Sequence, residues 1–227
     1  MRKCISLLLV FLPFSLFAIE KKDVENWINN TRSEEGLNPL VFEDSLTQSA
    51  EKYIVELSAK RFLSHRDEEG GGPLDRYKAS GGSALAVGEI LGTCEVKAPK
   101  EELFEAWWNS PSHREQILDP RWNCMGIALW ENGEVLIGVV EFSSSLLSSY
   151  SLDDVEGAYL FSFKPISESP LVFTEPLGGG GWTWTREVGD SRYYFEGDFP
   201  LLIELKAEEG RGGNRFLFMQ PPPGEKD

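Results

Sequence analysis

The sequence predicts an α+β protein in which a helix-rich N-terminal half is followed by a pair of strands and an all-β C-terminal region. Apolar residues recur at helical spacing through much of residues 22–118. After Cys124 the hydrophobic period changes, and short strand patterns punctuated by Gly, Pro and Asp continue towards the C-terminus. Hydrophobic residues make up 41% and charged residues 26% of the chain, which is ordinary globular usage and excludes wholesale disorder or a coiled coil.

The N-terminal segment has the pattern of a secretory signal peptide. Arg2 and Lys3 give a basic start, an apolar run covers residues 5–17, and Ala18 precedes a charged stretch. The run is shorter than the roughly 20 residues that span a bilayer, so an uncleaved anchor is the less favoured alternative. We therefore predict a signal peptide over residues 1–18, a secreted or periplasmic protein, and no transmembrane segment after cleavage.

Residues 19–145 form the first predicted domain. Each of its predicted helices has apolar residues at helical spacing, and at one end a residue that caps or terminates a helix. They are predicted from Asp23 to before Gly36, from Asp44 to about Phe62, from Pro99 past Trp107, and from His113 to Leu118, with a short turn over residues 74–79.

Two strands close this domain. They are predicted over residues 125–130 and 134–142, joined at Asn132-Gly133, because Asn-Gly is a strong tight-turn signal. The near-continuous apolar run over residues 135–140 indicates a strand that is covered on both faces. Helices on either side of a small sheet would supply that cover.

The C-terminal region is predicted to be a separate small domain. Serine-rich residues 143–151 are the candidate boundary, residues 152–220 are predicted as a small β-sandwich-like domain, and residues 221–227 as a disordered tail. Its candidate strands cover residues 159–163, 171–174, 182–186, 193–196, 201–206 and 216–220. Trp182 and Trp184 are either a half-buried strand or an aromatic platform for glycans or peptides, and the alternating Trp-Thr pattern favours the strand.

Charge and cysteine content restrict the function further. The formal net charge of −15 argues against a broad nucleic-acid footprint and against docking on an anionic membrane surface. Export would expose Cys94 and Cys124 to an oxidising compartment, which favours a disulfide between them. Two separate buried thiols are the alternative.

The chain has only two histidines, and both lie in polar surroundings at predicted helix ends. His65 stands in Ser64-His65-Arg66-Asp67, and His113 follows Ser112. Imidazole at such positions is suited to metal binding, proton transfer or hydrogen bonding. Glu89 follows a small apolar stretch and is either a solvated turn residue or a partly buried acid with a partner.

The order of several motifs resembles a bacterial domain of the CAP superfamily, which includes cysteine-rich secretory proteins, insect venom antigen 5 and plant pathogenesis-related proteins. The resemblance covers about residues 22–143. The motifs are Trp27-Ile28-Asn29-Asn30, His65 with Asp67, Arg76-Tyr77-Lys78-Ala79, Gly88-Glu89-Ile90, Trp107-Trp108-Asn109-Ser110-Pro111-Ser112-His113-Arg114 and Gly126-Ile127-Ala128.

This resemblance implies an α-β-α sandwich with a large open cleft. His65 and His113 match the cleft histidines of the family, which can hold a divalent metal, commonly zinc, and Glu89 matches the cleft acid. Ile90 stands where the family usually has Asn. The second acid of many animal members would fall near Ser110, so this chain lacks it at that position.

We expect an extracellular binding module in preference to an enzyme. Two histidines and one acid fall short of the three protein ligands of a catalytic zinc site. No HExxH helix or nucleophile elbow supports catalysis. The resemblance suggests a lipid, peptide, glycan or host protein as partner, and the alternative is a metal-dependent hydrolase or protease that uses the same cleft.

Overall fold

The structure is a computed structural model. It describes residues 19–60, 62–98, 100–155, 158–166, 171–174, 184–187, 192–196, 201–207 and 213–218. The predicted signal peptide and C-terminal tail lie outside the described residues, as does Trp182 of the proposed aromatic platform.

Helices and strands follow one another along the described chain in an α+β order. The helices are α1 (Lys21–Glu34), α2 (Asp44–Ala59), α3 (Pro73–Ala79), α4 (Lys100–Asn109) and α5 (Pro111–Ile117). The strands are β1 (Val41–Phe42), β2 (Val87–Glu95), β3 (Cys124–Glu131), β4 (Val135–Ser143), β5 (Leu147–Val155), β6 (Ala158–Pro165), β7 (Leu171–Thr174), β8 (Trp184–Glu187), β9 (Arg192–Glu196), β10 (Leu201–Ala207) and β11 (Gly213–Phe218). No described helix is both long and apolar enough to cross a membrane.

The first part of the chain is an α-β-α sandwich around a sheet of strand order β1-β3-β4-β2. β1 is parallel to β3, and the other pairs are antiparallel. Successive strand residues point to opposite faces, so Ile127 and Val140 pack with α1, α4 and α5, whereas Ala128 and Val139 pack with α2. The predicted layered α+β architecture and the two-sided cover of β4 are therefore confirmed.

Strand β2 forms one edge of this sheet, although the sequence patterns do not predict it. Its apolar alternation is interrupted by Gly88 and Gly92, which have no room for a side chain. A Cβ at Gly92 would lie 2.5 Å from Trp107 Nε1, and one at Gly88 would lie 2.0 Å from Gln116 Oε1. Side chains of α4 and α5 thus lie directly on the β2 backbone. This packing requires glycine at two positions, and these glycines interrupt the alternation from which a strand would be predicted.

The predicted disulfide between Cys94 and Cys124 is wrong, because both cysteines are buried and free. Cys94 lies opposite Leu136 of β4, and Cys124 lies opposite Ser143 of the same strand. These two β4 positions are about 23 Å apart at ~3.3 Å per residue, whereas a disulfide needs Cα atoms within about 7 Å. The alternative of two separate buried thiols is correct.

Strand β5 begins at Leu147, inside the serine-rich segment over residues 143–151 where the domain boundary is predicted. Two antiparallel sheets follow, of strand order β5-β6-β9-β8 and β11-β10-β7. Phe161 of β6, Leu205 of β10 and Phe216 of β11 lie in one buried cluster that joins the two sheets. Ser148, Ser149 and Ser151 are exposed on this edge strand, whereas Ser143, Ser144 and Ser145 before it are buried.

Asn214 of β11 connects the C-terminal β region to the α-β-α sandwich. Its side chain is fully buried, and Nδ2 donates to Ser83 Oγ at 2.7 Å. The Leu146 backbone N–H donates to Asn214 Oδ1 at 2.7 Å. One amide therefore ties β11 to the segment before β2 and to the segment after β4.

We expect Asn214→Ala to lower the free energy of unfolding by about 2–3 kcal/mol, because it leaves a buried hydroxyl and a backbone N–H without partners. Urea denaturation at pH 7 measures the change. Asn109→Ala, at an exposed position on α4, is the control and should stay within about 0.5 kcal/mol of the wild type. Equal values for the two variants would contradict this role of Asn214.

Candidate functional site

The predicted site residues come from three elements that meet at the β2 edge of the sheet. His65 lies in the loop between α2 and α3, Glu89 lies on β2, and His113 lies in the first turn of α5. The sheet alternation points Glu89 to the α2 face, together with Leu91. Pro73 and Pro111 begin α3 and α5, where the missing N–H of proline costs nothing.

The loop that carries His65 is held by its own hydrogen bonds. Asp67 Oδ1 accepts from the backbone N–H groups of Gly71 and Glu69, at 2.6 and 3.1 Å. The hydroxyl of Tyr53 on α2 lies within hydrogen-bonding reach of the carbonyl oxygens of Ser64 and Arg66, on either side of the histidine. The position of His65 is therefore set by α2 as well as by the loop.

Both carboxylate oxygens of Glu89 have partners. Oε1 lies 2.7 Å from His65 Nδ1, and Oε2 accepts from Arg76 Nη2 at 2.5 Å. The Glu89 side chain is only 1% exposed, so this buried charge is balanced mainly by the Arg76 guanidinium. Of the two interpretations left open by the sequence, the buried acid with partners is correct.

The contact with Glu89 determines which nitrogen of His65 carries hydrogen. An ionised carboxylate can only accept, so Nδ1 is the protonated nitrogen and Nε2 of the neutral ring keeps its lone pair. The His65 side chain is 54% exposed. The site therefore presents an oriented imidazole with a free lone pair.

Arg76 of α3 is the central cation of the site, and the sequence analysis did not assign it a functional role. Its guanidinium lies 3.5 Å from the centroid of the Tyr53 ring, and Nη1 donates to the His65 carbonyl oxygen at 3.2 Å. Nη2 also lies 3.8 Å from Glu141 Oε1. One side chain thus holds the acid, the histidine loop and a second acid together.

Glu141 of β4 is that second acid, and sequence reasoning missed it. It lies opposite Glu89 in the β2–β4 register and is fully buried. Ser49 Oγ donates to its Oε1 at 3.0 Å, and Oε2 has no hydrogen-bond partner among the described residues. The signal that could have found it is a carboxylate directly after the apolar run of residues 135–140.

Burial raises the pKa of Glu141 to about 8, because removal from water disfavours the charged form. The hydrogen bond from Ser49 lowers the pKa, the neighbouring Glu89 carboxylate raises it, and Arg76 lowers it. Glu141 is therefore largely protonated at neutral pH. With Glu141 neutral, the charges of Glu89 and Arg76 cancel, so this buried group of three side chains carries no net charge.

His113 is half-buried, and its Nδ1 has no hydrogen-bond partner among the described residues. Burial lowers the pKa of His113, and the electrostatic effect of His65 lowers it further. His113 is therefore neutral at pH 7 and has a lone pair available for bonding.

The donors that a divalent cation would use here are the two imidazoles. A metal-binding histidine commonly donates its other N–H to a carboxylate, as His65 does to Glu89. Among the residues that the structure describes, no group of three or more His, Cys, Asp or Glu side chains is arranged to hold a metal. Near His113, the hydroxyl of Ser110 lies 3.2 Å from that of Ser112.

Comparison with protein families gives a match to the cysteine-rich secretory protein family model over residues 26–141. A similar curated protein is YkwD of Bacillus subtilis (strain 168), with 35% identity over 123 residues, which are 54% of this chain and 47% of YkwD. The matched region thus spans about half the length of that relative.

Three solved bacterial structures are similar to about half of this chain. An outer surface protein from Borrelia burgdorferi is 27% identical, with a TM-score of 0.49 over 54% of this chain and 90% of the other. An extracellular protein from Bacillus anthracis strain Ames that contains an SCP domain is 17% identical, with a TM-score of 0.49 and coverage of 55% and 40%. A cysteine-rich secretory protein from Staphylococcus aureus Mu50 is 17% identical, with a TM-score of 0.45 and coverage of 55% and 38%.

Proposed function

The chain belongs to the cysteine-rich secretory protein (CAP) family, and from this premise we propose that it is an extracellular binding module whose His65–His113 cleft holds a divalent cation. The signal-peptide pattern of residues 1–18 supports the extracellular location. The exposed, oriented imidazole of His65 supports the binding role. The ligand is an extracellular molecule that reaches this cleft.

The observation that carries the proposal is the complete engagement of Glu89. A general base needs a carboxylate oxygen that is free to take a proton from water. In Glu89 one oxygen contacts His65 and the other contacts Arg76. Glu89 is therefore suited to orienting His65, and this favours binding over the hydrolase alternative.

The cation would be held by His65 and by His113, which burial keeps neutral. When bound, a divalent cation with two protein ligands supplies open coordination positions for groups of a ligand. His65 contributes Nε2, since its Nδ1 is directed to Glu89. Arg76 keeps the Glu89 carboxylate in place, so the imidazole is oriented before the cation arrives.

We expect Co²⁺ to bind to the wild-type chain with a one-to-one stoichiometry, measured by isothermal titration calorimetry at pH 7.5 on protein without a histidine tag. His65→Ala and His113→Ala should each weaken binding at least tenfold. Glu89→Gln should weaken it on the order of tenfold, because it removes the carboxylate that orients His65. The chain has no other histidine that could supply a background site.

Glu115→Ala, at an exposed position of α5, is the matched control and should leave Co²⁺ affinity unchanged. Undiminished binding by the His65→Ala/His113→Ala double variant would exclude this cleft as the cation site. Co²⁺-stimulated peptide cleavage that disappears in the double variant would favour the hydrolase over the binding module.

A further inference from the structure

A second concave site lies between α1 and α4. It is a cavity of about 620 Å³, within the size range of small-molecule sites. We call it the α1–α4 groove, and its lining residues include Trp27, Glu34, Phe104, Glu105 and Trp108. Its lining contains none of His65, Glu89 and His113, so it is separate from the proposed cation cleft.

The wall of the α1–α4 groove is aromatic and firmly packed. The rings of Trp27 and Phe104 are stacked, with centroids 4.8 Å apart and planes within 7° of parallel. Trp107, which is fully buried, lies behind them with its ring centroid 6.0 Å from that of Trp27. Trp27 itself is only half-buried, so an apolar surface remains accessible inside the groove.

An alkylammonium group already occupies one end of this groove. Lys100 Nζ donates to Asp23 Oδ1 at 2.8 Å, with the lysine side chain 46% exposed. Both residues line the cavity. The chain's own lysine therefore shows one way in which an ammonium group on a methylene chain fits between α1 and α4.

The remaining acids of the groove have no such partner. They are Glu34 and Glu35 near the end of α1, and Glu101 and Glu105 on α4. None of the four forms an ion pair within 4.0 Å among the described residues, whereas Asp23 does. Glu101 and Glu105 are four residues apart, so their Cβ atoms lie ~6 Å from each other on one face of the helix. The lining contains five acids and one lysine, so the groove carries net negative charge beside an aromatic wall.

We propose that the α1–α4 groove binds a linear polyamine. Methylene chains of the ligand pack on Trp27 and Phe104, and its ammonium groups pair with Glu101, Glu105 and the acids of α1. Ammonium groups are also attracted to the faces of indole rings. The spacing of carboxylates along α4 suits amines that short methylene chains separate.

Two other ligand chemistries fit the groove less well. An anionic amphiphile would bring its charge next to the unpaired glutamates, and like charges repel at such distances. A bare divalent cation needs several acidic side chains close to one point, and no such group occurs among the described residues. A polyamine has ammonium groups that can pair with the glutamates and methylene chains that can pack on the aromatic wall.

The test uses spermidine as the probe, with calorimetric titration of the full chain at 0.15 M NaCl and with tryptophan fluorescence as a second readout. We expect saturable one-to-one binding that quenches the fluorescence. Glu101→Gln/Glu105→Gln should weaken binding at least tenfold. The matched control is Glu68→Gln/Glu69→Gln, which removes the same charge from two exposed adjacent acids outside the groove and should change affinity less than twofold.

Equal weakening by the two double variants would overturn the proposal, because it would reveal non-specific attraction to an acidic chain. Absence of saturable spermidine binding would also overturn it, including the case in which a lysine-rich peptide binds instead. His65→Ala/His113→Ala should bind spermidine as the wild type does. Failure of the groove proposal is therefore distinguishable from failure of the cation cleft.

Discussion

Glu141→Gln is expected to raise the free energy of unfolding by about 5 kcal/mol at pH 9 relative to the wild type, and to change it little at pH 4. Burial raises the pKa of Glu141 to about 8 from an ordinary value of 4.5. Each unit of difference between the folded and unfolded pKa is worth about 1.4 kcal/mol. Glutamine keeps an acceptor for Ser49 Oγ and carries no charge at any pH.

The direction of the pH effect follows from proton linkage. Folded Glu141 holds its proton more tightly than the unfolded chain does, so its contribution to stability is fully present below about pH 4.5. It is lost progressively as the pH rises, and above about pH 8 the loss is complete because the folded carboxyl also ionises. The charged groups that act on Glu141 are Glu89 from β2 and Arg76 from α3.

Urea denaturation of wild type and variant at several pH values measures this difference, and titrations common to both proteins cancel. Glu134→Gln is the matched control, because Glu134 is exposed directly before β4 and should show no comparable pH-dependent difference. A Glu141→Gln effect that is constant from pH 4 to pH 9 would contradict the buried, protonated carboxyl.

Arg76→Ala is expected to lower the free energy of unfolding by about 3–5 kcal/mol at pH 7. Removing one partner of a buried ion pair leaves an uncompensated charge, here on Glu89, whose side chain is 1% exposed. The substitution also removes the hydrogen bonds from Nη1 to the carbonyl oxygens of His65 and Gly71, at 3.2 and 3.3 Å. Weaker Co²⁺ binding should accompany the loss of stability, since His65 loses its support.

Denaturation and Co²⁺ titration of matched variants check this expectation. Arg66→Ala removes an exposed guanidinium whose one hydrogen bond within the described part of the chain goes to the Gly70 carbonyl oxygen, and should cost less than about 1 kcal/mol. Arg76→Lys should recover only part of the stability, because an ammonium group cannot reproduce the planar contact with Tyr53. Glu89→Gln in the Arg76→Ala background should restore part of it by removing the unpaired charge. Identical stabilities for Arg76→Ala and Arg66→Ala would refute the central role of Arg76.

The candidate site was predictable in part because motif order carries information that single residues lack. His65, Glu89 and His113 are far apart in the chain, and only the resemblance of ordered motifs placed them in one cleft. The structure places His65 against Glu89, and it places His113 in the first turn of α5, a helix that packs on β2. Arg76 belongs to one of these motifs, but no local pattern indicates that an arginine of a short helix will pair with a buried strand residue.

The missed elements have a common physical origin. Strand β2 lacks a clear alternation because Gly88 and Gly92 accommodate side chains from α4 and α5. Strand β5 begins inside a serine-rich segment that has the composition of a linker. In both cases the neighbours that pack on the strand, rather than the residues of the strand itself, decide its conformation.

Local patterns determine the helix positions, the hairpin at Asn132-Gly133 and the change to β structure after Cys124, because hydrophobic period and turn chemistry act over a few residues. Only the tertiary structure decides that the cysteines are apart and that Glu141 lies beside Glu89. Both outcomes depend on the register of β4 with its neighbours, which is set by contacts distant in sequence. The burial of Glu141 and the pairing of Glu89 with Arg76 arise only in the folded chain, and the chemistry of the cleft depends on them.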